Sequence, residues 1–340
     1  MIKKIKVLVV DDSIVFRETI IRGIALDDGI EVVAKASDPF EARDKILLCE
    51  PDVMLCDVEM PKMNGIEFIK RLLPQYSLPV IVVSGATEAV FDAMNAGAVD
   101  FVAKPNNKTS TNMQSFILEL ITKIKIAAAS HVSNQALVPV VENASNIELP
   151  KNKIIAIGAS TGGTEALSNI LVQLPKNIPG IVIVQHIPPV FSRMFAERMD
   201  NQTSLKVKEA QTGDIVETGT VLIAPGDQHM RIKKIGDRYK VEVFEDKKVN
   251  GHCPSVDVLF ESVSKEAGEN AVGIILTGMG YDGAKGLLSM RRKRARTIGQ
   301  DEKSCVVYGM PKVAFDIGAV EKQVTLGNIP QTLISVLRYN

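Results

Sequence analysis

Short blocks of consecutive apolar residues recur along this chain. Each ends on one or two polar residues and leads into a segment with apolar residues at helical spacing. Ile5 to Val10 is the first block, and Val32 to Ala36, Val53 to Asp57, Pro79 to Ser84 and Asp100 to Pro105 follow. Blocks of this length, apolar rather than alternating, predict strands, and Ile5 to Val10 reads as a buried one. Between them Ser13 caps a helix carrying Phe16, Ile20, Ile21 and Ile24 along one face. Pro39 to Leu48 forms another helix, a third begins at Asn64-Gly65, and a long one spans Asn112 to Ala128. Strands alternating with helices in this way predict a doubly wound parallel sheet. Its right-handed crossovers bring every strand's carboxyl end to one edge.

The periodicity then lapses. From His131 to Asn152 the chain holds Ser133-Asn134-Gln135, Val138-Pro139 and Glu142 to Asn146 without a sustained repeat, as a linker does. His131 has no neighbour there that suggests a ligand role. The pattern resumes with Ile154 to Ile157, helical spacing from Glu165 to Leu174, and a buried strand from Gly180. Leu205 to Ala210 and the block from Val221 come next, then a hairpin (Arg231 to Lys234, Tyr239 to Phe244), a helix from Val256 to Ala267 and a strand from Ala271 to Thr277. The reading is α/β throughout: one domain over 1–128, a linker over 129–152, and a second doubly wound domain with an added β-hairpin over 153–340.

Composition narrows the function. Forty basic residues balance forty acidic ones in 340, so no global charge argues for nucleic acid or an anionic membrane. The four cysteines, Cys49, Cys56, Cys253 and Cys305, show no CxxC spacing and read as free thiols. The apolar run Val7 to Val10 stops at Asp11-Asp12, too short for a signal peptide, and no stretch approaches the ~20 residues of a membrane span. A cytoplasmic protein without membrane insertion is expected.

Polar residues at the first domain's strand ends carry a chemistry. Strand one ends in Asp11-Asp12, strand three in Asp57, strand four in Ser84 and strand five in Lys104. Three carboxylates converging on one edge repel each other by several kcal/mol unless a cation joins them. Oxygen-only donors with room for water suit Mg²⁺. A lysine and a hydroxyl beside them are placed for the oxygens of a phosphoryl group.

In the second domain the stretch Lys153 to Glu165 turns a strand into a helix through Gly158, Gly162 and Gly163. Three roles fit such a turn. Gly158-x-Ser160-x-Gly162 matches the nucleophile elbow, the glycines match a phosphate-cradling dinucleotide loop, and the turn can simply pack helix on strand. A dinucleotide fold places an acidic residue near the end of the next strand, to hold a ribose, and none stands between Ile178 and Arg193. His186 stands there instead, where a serine nucleophile needs its base. The strand Ala271 to Thr277 delivers Asp282 through a second glycine-rich loop, and accepting the imidazole Nδ1–H is its natural role. His229 and His252, both in loops, compete with His186 for the base.

The first domain, with Asp57-Val-Glu-Met-Pro-Lys-Met-Asn-Gly65 and Lys104-Pro105, resembles the receiver domain of bacterial response regulators over residues 3–126. The resemblance implies a flavodoxin-like fold and an Asp57 phosphorylated by a histidine kinase. It further implies Mg²⁺ held by Asp12, Asp57 and the Glu59 carbonyl, with Asp11 acting through water, and Ser84 and Lys104 reading the phosphoryl group. The second domain carries Gly158 to Glu165, Gln185-His-Ile-Pro-Pro189, Ala224 to Met230, Pro254-Ser-Val-Asp257, Thr277 to Gly283 and Gly299-Gln-Asp-Glu302 through Pro311. Together these resemble the catalytic domain of the chemotaxis protein-glutamate methylesterases, a Rossmann-like fold. That implies Ser160 as nucleophile, His186 as base, Asp282 as orienting acid, and backbone N–H groups near Thr161 and Met279 as the oxyanion hole. It also implies the cytoplasmic helices of methyl-accepting chemoreceptors as substrate, glutaminase activity on the same receptors, and no cofactor in this domain. Two departures are visible: Cys253 stands where the family more often has arginine, and Arg291 to Arg294 replaces a glycine-containing turn. The rival from another class is a response regulator whose second domain only binds a nucleotide or a partner.

Overall fold

Burial follows most of the apolar blocks, but the second, at a sheet edge, is largely half-buried or exposed. In a computed structural model describing residues 4–61, 63–85, 87–105, 112–128, 149–150 and 152–338, the chain divides into two units, Met1–Val132 and Ser133–Asn340. Most of the linker expected at 129–152, His131 included, lies outside the described residues.

The first unit alternates β1 (Ile5–Val10), α1 (Ile14–Ile24), β2 (Ile30–Ala36), α2 (Pro39–Cys49), β3 (Val53–Asp57), α3 (Gly65–Leu72), β4 (Val80–Ser84), α4 (Thr87–Asn95), β5 (Asp100–Ala103) and α5 (Met113–Ala128). The strands pair in parallel in the order β2-β1-β3-β4-β5, the flavodoxin-like arrangement. Every residue of β3 and β4 is buried, which is why those segments read as unbroken apolar runs. Helix starts are fixed by side chains that accept free amide protons: Ser13 from Phe16, Asp38 from Phe40 and Glu41, Asn64 from Glu67.

The second unit begins with β6 (Ile154–Ala159), α6 (Gly163–Leu171), β7 (Ile181–Gln185), α7 (Phe191–Gln202), β8 (Lys206–Glu209) and β9 (Thr220–Ile223). The hairpin β10 (His229–Ile235) and β11 (Arg238–Phe244) interrupts the alternation as a two-stranded sheet of its own, with an isolated bridge from Lys240 to Ile215. There follow α8 (Val256–Glu266), β12 (Ala271–Ile275), α9 (Ala284–Arg292), β13 (Arg296–Gln300), α10 (Met310–Asp316), β14 (Lys322–Val324) and α11 (Ile329–Arg338). Seven parallel strands stand in the order β14-β13-β12-β6-β7-β9-β8. Chain order runs outward from β6 on one side through β7, then returns to its other side at β12. That reversal puts the carboxyl end of β6 at the switch point, where sheets of this kind bind their ligands. Val256, Leu259, Phe260 and Val263 of α8 pack with Met230, Ile232 and Val241 of the hairpin in one buried cluster under the sheet.

Candidate active site

Strand register brings the three expected site residues of the second unit together. Ala159 of β6 pairs with Gln185 of β7, and the next residues along, Ser160 and His186, leave the two strands side by side. The His186 amide donates to the Ala159 carbonyl at 3.1 Å. On the other flank Ile275 of β12 pairs with Gly158, the Ser160 amide donates to Thr277, and the loop beyond carries Asp282. Asp282 Oδ2 then lies 3.0 Å from His186 Nε2. This corrects the ring orientation expected from sequence: the distal nitrogen meets the carboxylate, and Nδ1 does not. The reason is on the far side of Asp282, whose oxygens are fixed from behind by α8 and meet the imidazole at its far edge. His186 Nδ1 is buried without a hydrogen-bond partner, so the Ser160 hydroxyl is not bonded to it here.

Asp282 is 1% exposed and sits on the N-terminus of α8. It accepts from the Val256 amide (2.6 Å), the Ser255 hydroxyl (2.8 Å), the Asn250 side-chain amide (2.7 Å) and the Asp257 amide (3.3 Å). Burial alone would raise its pKa, but the bonds from His186, Asn250 and Ser255 outweigh it and hold the carboxyl well below the usual range. The group is a fixed anion aimed at the imidazole, and the helix dipole favours the same charge.

The competing histidines are drawn in without taking the base position. His252 lies flat on His186, ring centroids 3.8 Å apart and planes 6° from parallel. Burial, with the His186 ring beside it, pushes its pKa down to about 4, so it stacks as a neutral ring. His229, 1% exposed, lies 3.0 Å by its Nε2 from the Lys247 carbonyl, while its Nδ1 accepts from the Ser255 amide. It is a buttress under the α8 cap.

The glycines of the Ser160 turn are covered by protein. A Cβ on Gly162 would meet Val306 at 2.7 Å, and one on Gly163 would meet Gln185 Oε1 at 2.1 Å. Close helix packing, with no open cradle over the loop, accounts for them. Gln185 Nε2 donates to the Ser160 carbonyl at 2.9 Å and clamps the turn. The Thr277 hydroxyl donates to the Thr161 carbonyl, tying in the second loop. The amides of Ser160, Gly163 and Gly278 are committed to the carbonyls of Thr277, Ser160 and Val307. Cys253 is partly buried next to this site, and Arg291 donates to the carbonyls of Gly318 and Val320.

In the first unit the expected residues also share one edge. Ligand oxygens of Asp11, Asp12 and Asp57 lie within 4.8 Å of one another, a donor set that suits a hard divalent cation. Lys104 Nζ donates to Asp11 at 2.9 Å and to Asp57 at 2.7 Å. Burial pushes the Asp57 carboxyl up against the pull of Lys104. Burial also opposes the Lys104 charge, but its bonds to Asp57 and Asp11 win and raise its pKa. Ser84 is buried at the end of β4, and its carbonyl accepts from the Lys104 amide. The Glu59 amide donates to Asp57 Oδ1 at 3.3 Å.

Sequence reading missed Gln185, Asn250, Ser255 and His229 as supports. Asn250-Gly251 is a two-residue hairpin signal, and Ser255 precedes a helix as a cap does, so both were open to detection. What Asn250 touches was not, because its partners lie 7 and 32 residues away.

Comparison with known proteins agrees along the whole chain. Residues 155–333 match the family model of the CheB methylesterase, and residues 7–113 match that of the response regulator receiver domain. A protein of Syntrophomonas wolfei named protein-glutamate methylesterase/protein-glutamine glutaminase 2 is 55% identical, over 99% of this chain and 98% of its own. One from Syntrophotalea carbinolica, named protein-glutamate methylesterase/protein-glutamine glutaminase, is 47% identical over 99% of both. The crystal structure of the Thermotoga maritima CheB methylesterase catalytic domain superposes with a TM-score of 0.53 at 38% identity, covering 54% of this chain and 98% of that one. With both family models matched in order and near-full-length relatives at this identity, the chain belongs to the CheB methylesterase family, a methylesterase domain preceded by a response-regulator receiver domain.

Proposed function

We propose that the chain is a phosphorylation-activated serine esterase. It hydrolyses glutamate methyl esters on the cytoplasmic helices of chemoreceptors and deamidates receptor glutamines, in the cytoplasm, as an adaptation enzyme of chemotaxis. The observation that carries this reading is the delivery of Ser160, His186 and Asp282 by three adjacent strands to one edge, with His186 held 3.0 Å from a buried, ionised Asp282.

Because Nε2 is engaged by Asp282, Nδ1 is the nitrogen that takes the Ser160 proton. The serine oxygen attacks the ester carbonyl carbon, and the tetrahedral oxyanion forms against the Thr161 and Met279 amides, which neighbouring carbonyls leave uncommitted among the described residues. The imidazolium returns its proton to the methoxy group, and methanol leaves. Water, deprotonated by His186, then attacks the acyl-enzyme and releases glutamate and free Ser160. With a glutamine side chain the leaving group is ammonia. Asp282 keeps its charge throughout, stabilising the imidazolium without accepting its proton.

In the receiver domain Asp57 accepts the phosphoryl group from the histidine kinase of the same pathway. Asp11, Asp12, Asp57 and the Glu59 carbonyl would hold Mg²⁺, which supplies positive charge where carboxylates and phosphate meet. Lys104, now bonded to Asp57, moves to a phosphoryl oxygen, and Ser84 takes another. A fluorophosphonate tests the esterase reading directly. Mass spectrometry of the labelled chain should place the adduct on Ser160, and label elsewhere or nowhere refutes the assignment.

A further inference from the structure

Four residues, Val249 to His252, form a miniature hairpin whose ends exchange both backbone bonds: Val249 N to His252 O at 3.0 Å, His252 N to Val249 O at 2.9 Å. Its centre is Asn250-Gly251 with φ of 53° and 84°. Positive φ at both central residues matches the right-handed twist of a hairpin, and Asn-Gly is the pair that adopts it most readily. This turn touches two members of the catalytic constellation at once. Its last residue is the His252 that stacks on His186. Its first central residue sends one side-chain nitrogen to two buried carboxylates, 2.7 Å from Asp282 Oδ1 and 2.7 Å from Asp257 Oδ2.

Asp257 is 4% exposed and takes no part in the proposed chemistry. Its other carboxylate oxygen accepts from the Gly286 amide at 2.7 Å, so it ties α8 to α9. Two buried anions side by side would repel each other and pull Asp282 off the imidazole. The Asn250 amide stands between them and gives each a proton to bond. An asparagine does this where an aspartate cannot, since only the amide donates.

We infer that Asn250 is a positioning residue of the esterase: by bridging Asp257 and Asp282 it fixes the carboxylate that orients His186, while its turn holds His252 against a face of that ring. The inference rests on the esterase reading of Ser160, His186 and Asp282. The charged and titratable groups around it are His186 and His252, Lys248 beside His252, and Lys285 beside Asp257.

The test uses the full-length chain and methanol release from a methyl-esterified chemoreceptor fragment. Asn250→Gly keeps a residue that tolerates positive φ, so the turn survives and only the amide is lost. Its kcat should fall about tenfold with KM unchanged, the size of one hydrogen bond to a charged group. Asn250→Asp also tolerates that backbone but sets a third carboxylate between the other two. The added negative charge stabilises the protonated imidazole, so the acid limb of kcat/KM against pH should move to higher pH. A residue that merely shaped the loop would not move that limb. An unchanged kcat in Asn250→Gly, or an unmoved acid limb in Asn250→Asp, overturns the inference while the parent enzyme stays active. A parent chain whose Ser160 takes no fluorophosphonate overturns the esterase reading and this inference with it.

Discussion

In the proposed mechanism Ser160→Ala removes the nucleophile and His186→Ala its base, so both should lose most turnover and keep substrate binding. Asp282→Asn is the more telling change. The asparagine would turn its NH2 either toward the Val256 amide and the imidazole or toward the donors from Asn250, Ser255 and Asp257, all of which need an acceptor, and a loss of about 10³–10⁴ in kcat is expected by analogy with other triads. Heavy loss in His229→Ala or His252→Ala, with His186→Ala mild, would mean the base is misassigned. His252 offers a pH test whose sign is fixed by its depressed pKa, about 4 folded against 6.5 for the free ring. Between those values the unfolded chain binds a proton that the folded one refuses, so stability falls as pH drops from 6.5 to 4 and levels off below. Thermal unfolding of the second unit should therefore decline more steeply over that range in the parent than in His252→Asn. Parallel curves would show that folding does not depress the pKa of the stacked ring.

At the scale of elements, the site depends on how closely β6 and α8 approach. A Cβ on Gly158 would lie 2.2 Å from Val256 Cγ1, and the Val256 amide is one of the groups that hold Asp282. Gly158→Ala should push the α8 N-terminus outward, at about 1–3 kcal/mol of stability for an overpacked core position, and lower kcat more than it raises KM. Denaturant unfolding beside steady-state rates would check both. This dependence explains what the sequence could and could not reveal. Strands β3, β4, β6 and β7 were legible because they are buried on both faces and so carry unbroken apolar runs. Ser160 and His186 stood out because each follows such a run directly, and Asp282 because a glycine-rich loop ties it to the run of β12. The same rule failed at the ends of elements: helical spacing suggested a start at Glu165, while α6 begins at Gly163 because the glycines themselves form its first turn against Gln185 and Val306. The imidazole's orientation was beyond reach, since it is set by α8 and by Asn250, which converge on Asp282 only in three dimensions.

For the whole molecule, the receiver site and the esterase site matter together only if the state of one alters the other. With a small phosphodonor and Mg²⁺, label should appear on Asp57, vanish in Asp57→Asn and require the metal, because Lys104 alone does not offset three clustered carboxylates and an incoming phosphate dianion. Labelling that persists in EDTA would count against that site. The simplest coupling is occlusion, in which the unphosphorylated receiver domain screens Ser160 and phosphorylation of Asp57 releases it. Each tenfold of activation then needs about 1.4 kcal/mol of difference between closed and open arrangements, well within what an ordinary interdomain surface supplies. The second unit has its own buried cluster and a complete seven-stranded sheet, so a fragment from about Pro150 to Asn340 should fold alone. Under occlusion it hydrolyses ester faster than the unphosphorylated full-length chain. Phosphorylated full-length protein should match or exceed it, and Asp57→Ala should stay at the low level. Initial rates of methanol release from the four forms decide the matter. A fragment no faster than the unphosphorylated chain excludes occlusion and requires instead a receiver that helps assemble the site, a more demanding design because it must then bring the Ser160 hydroxyl to the unpartnered His186 Nδ1.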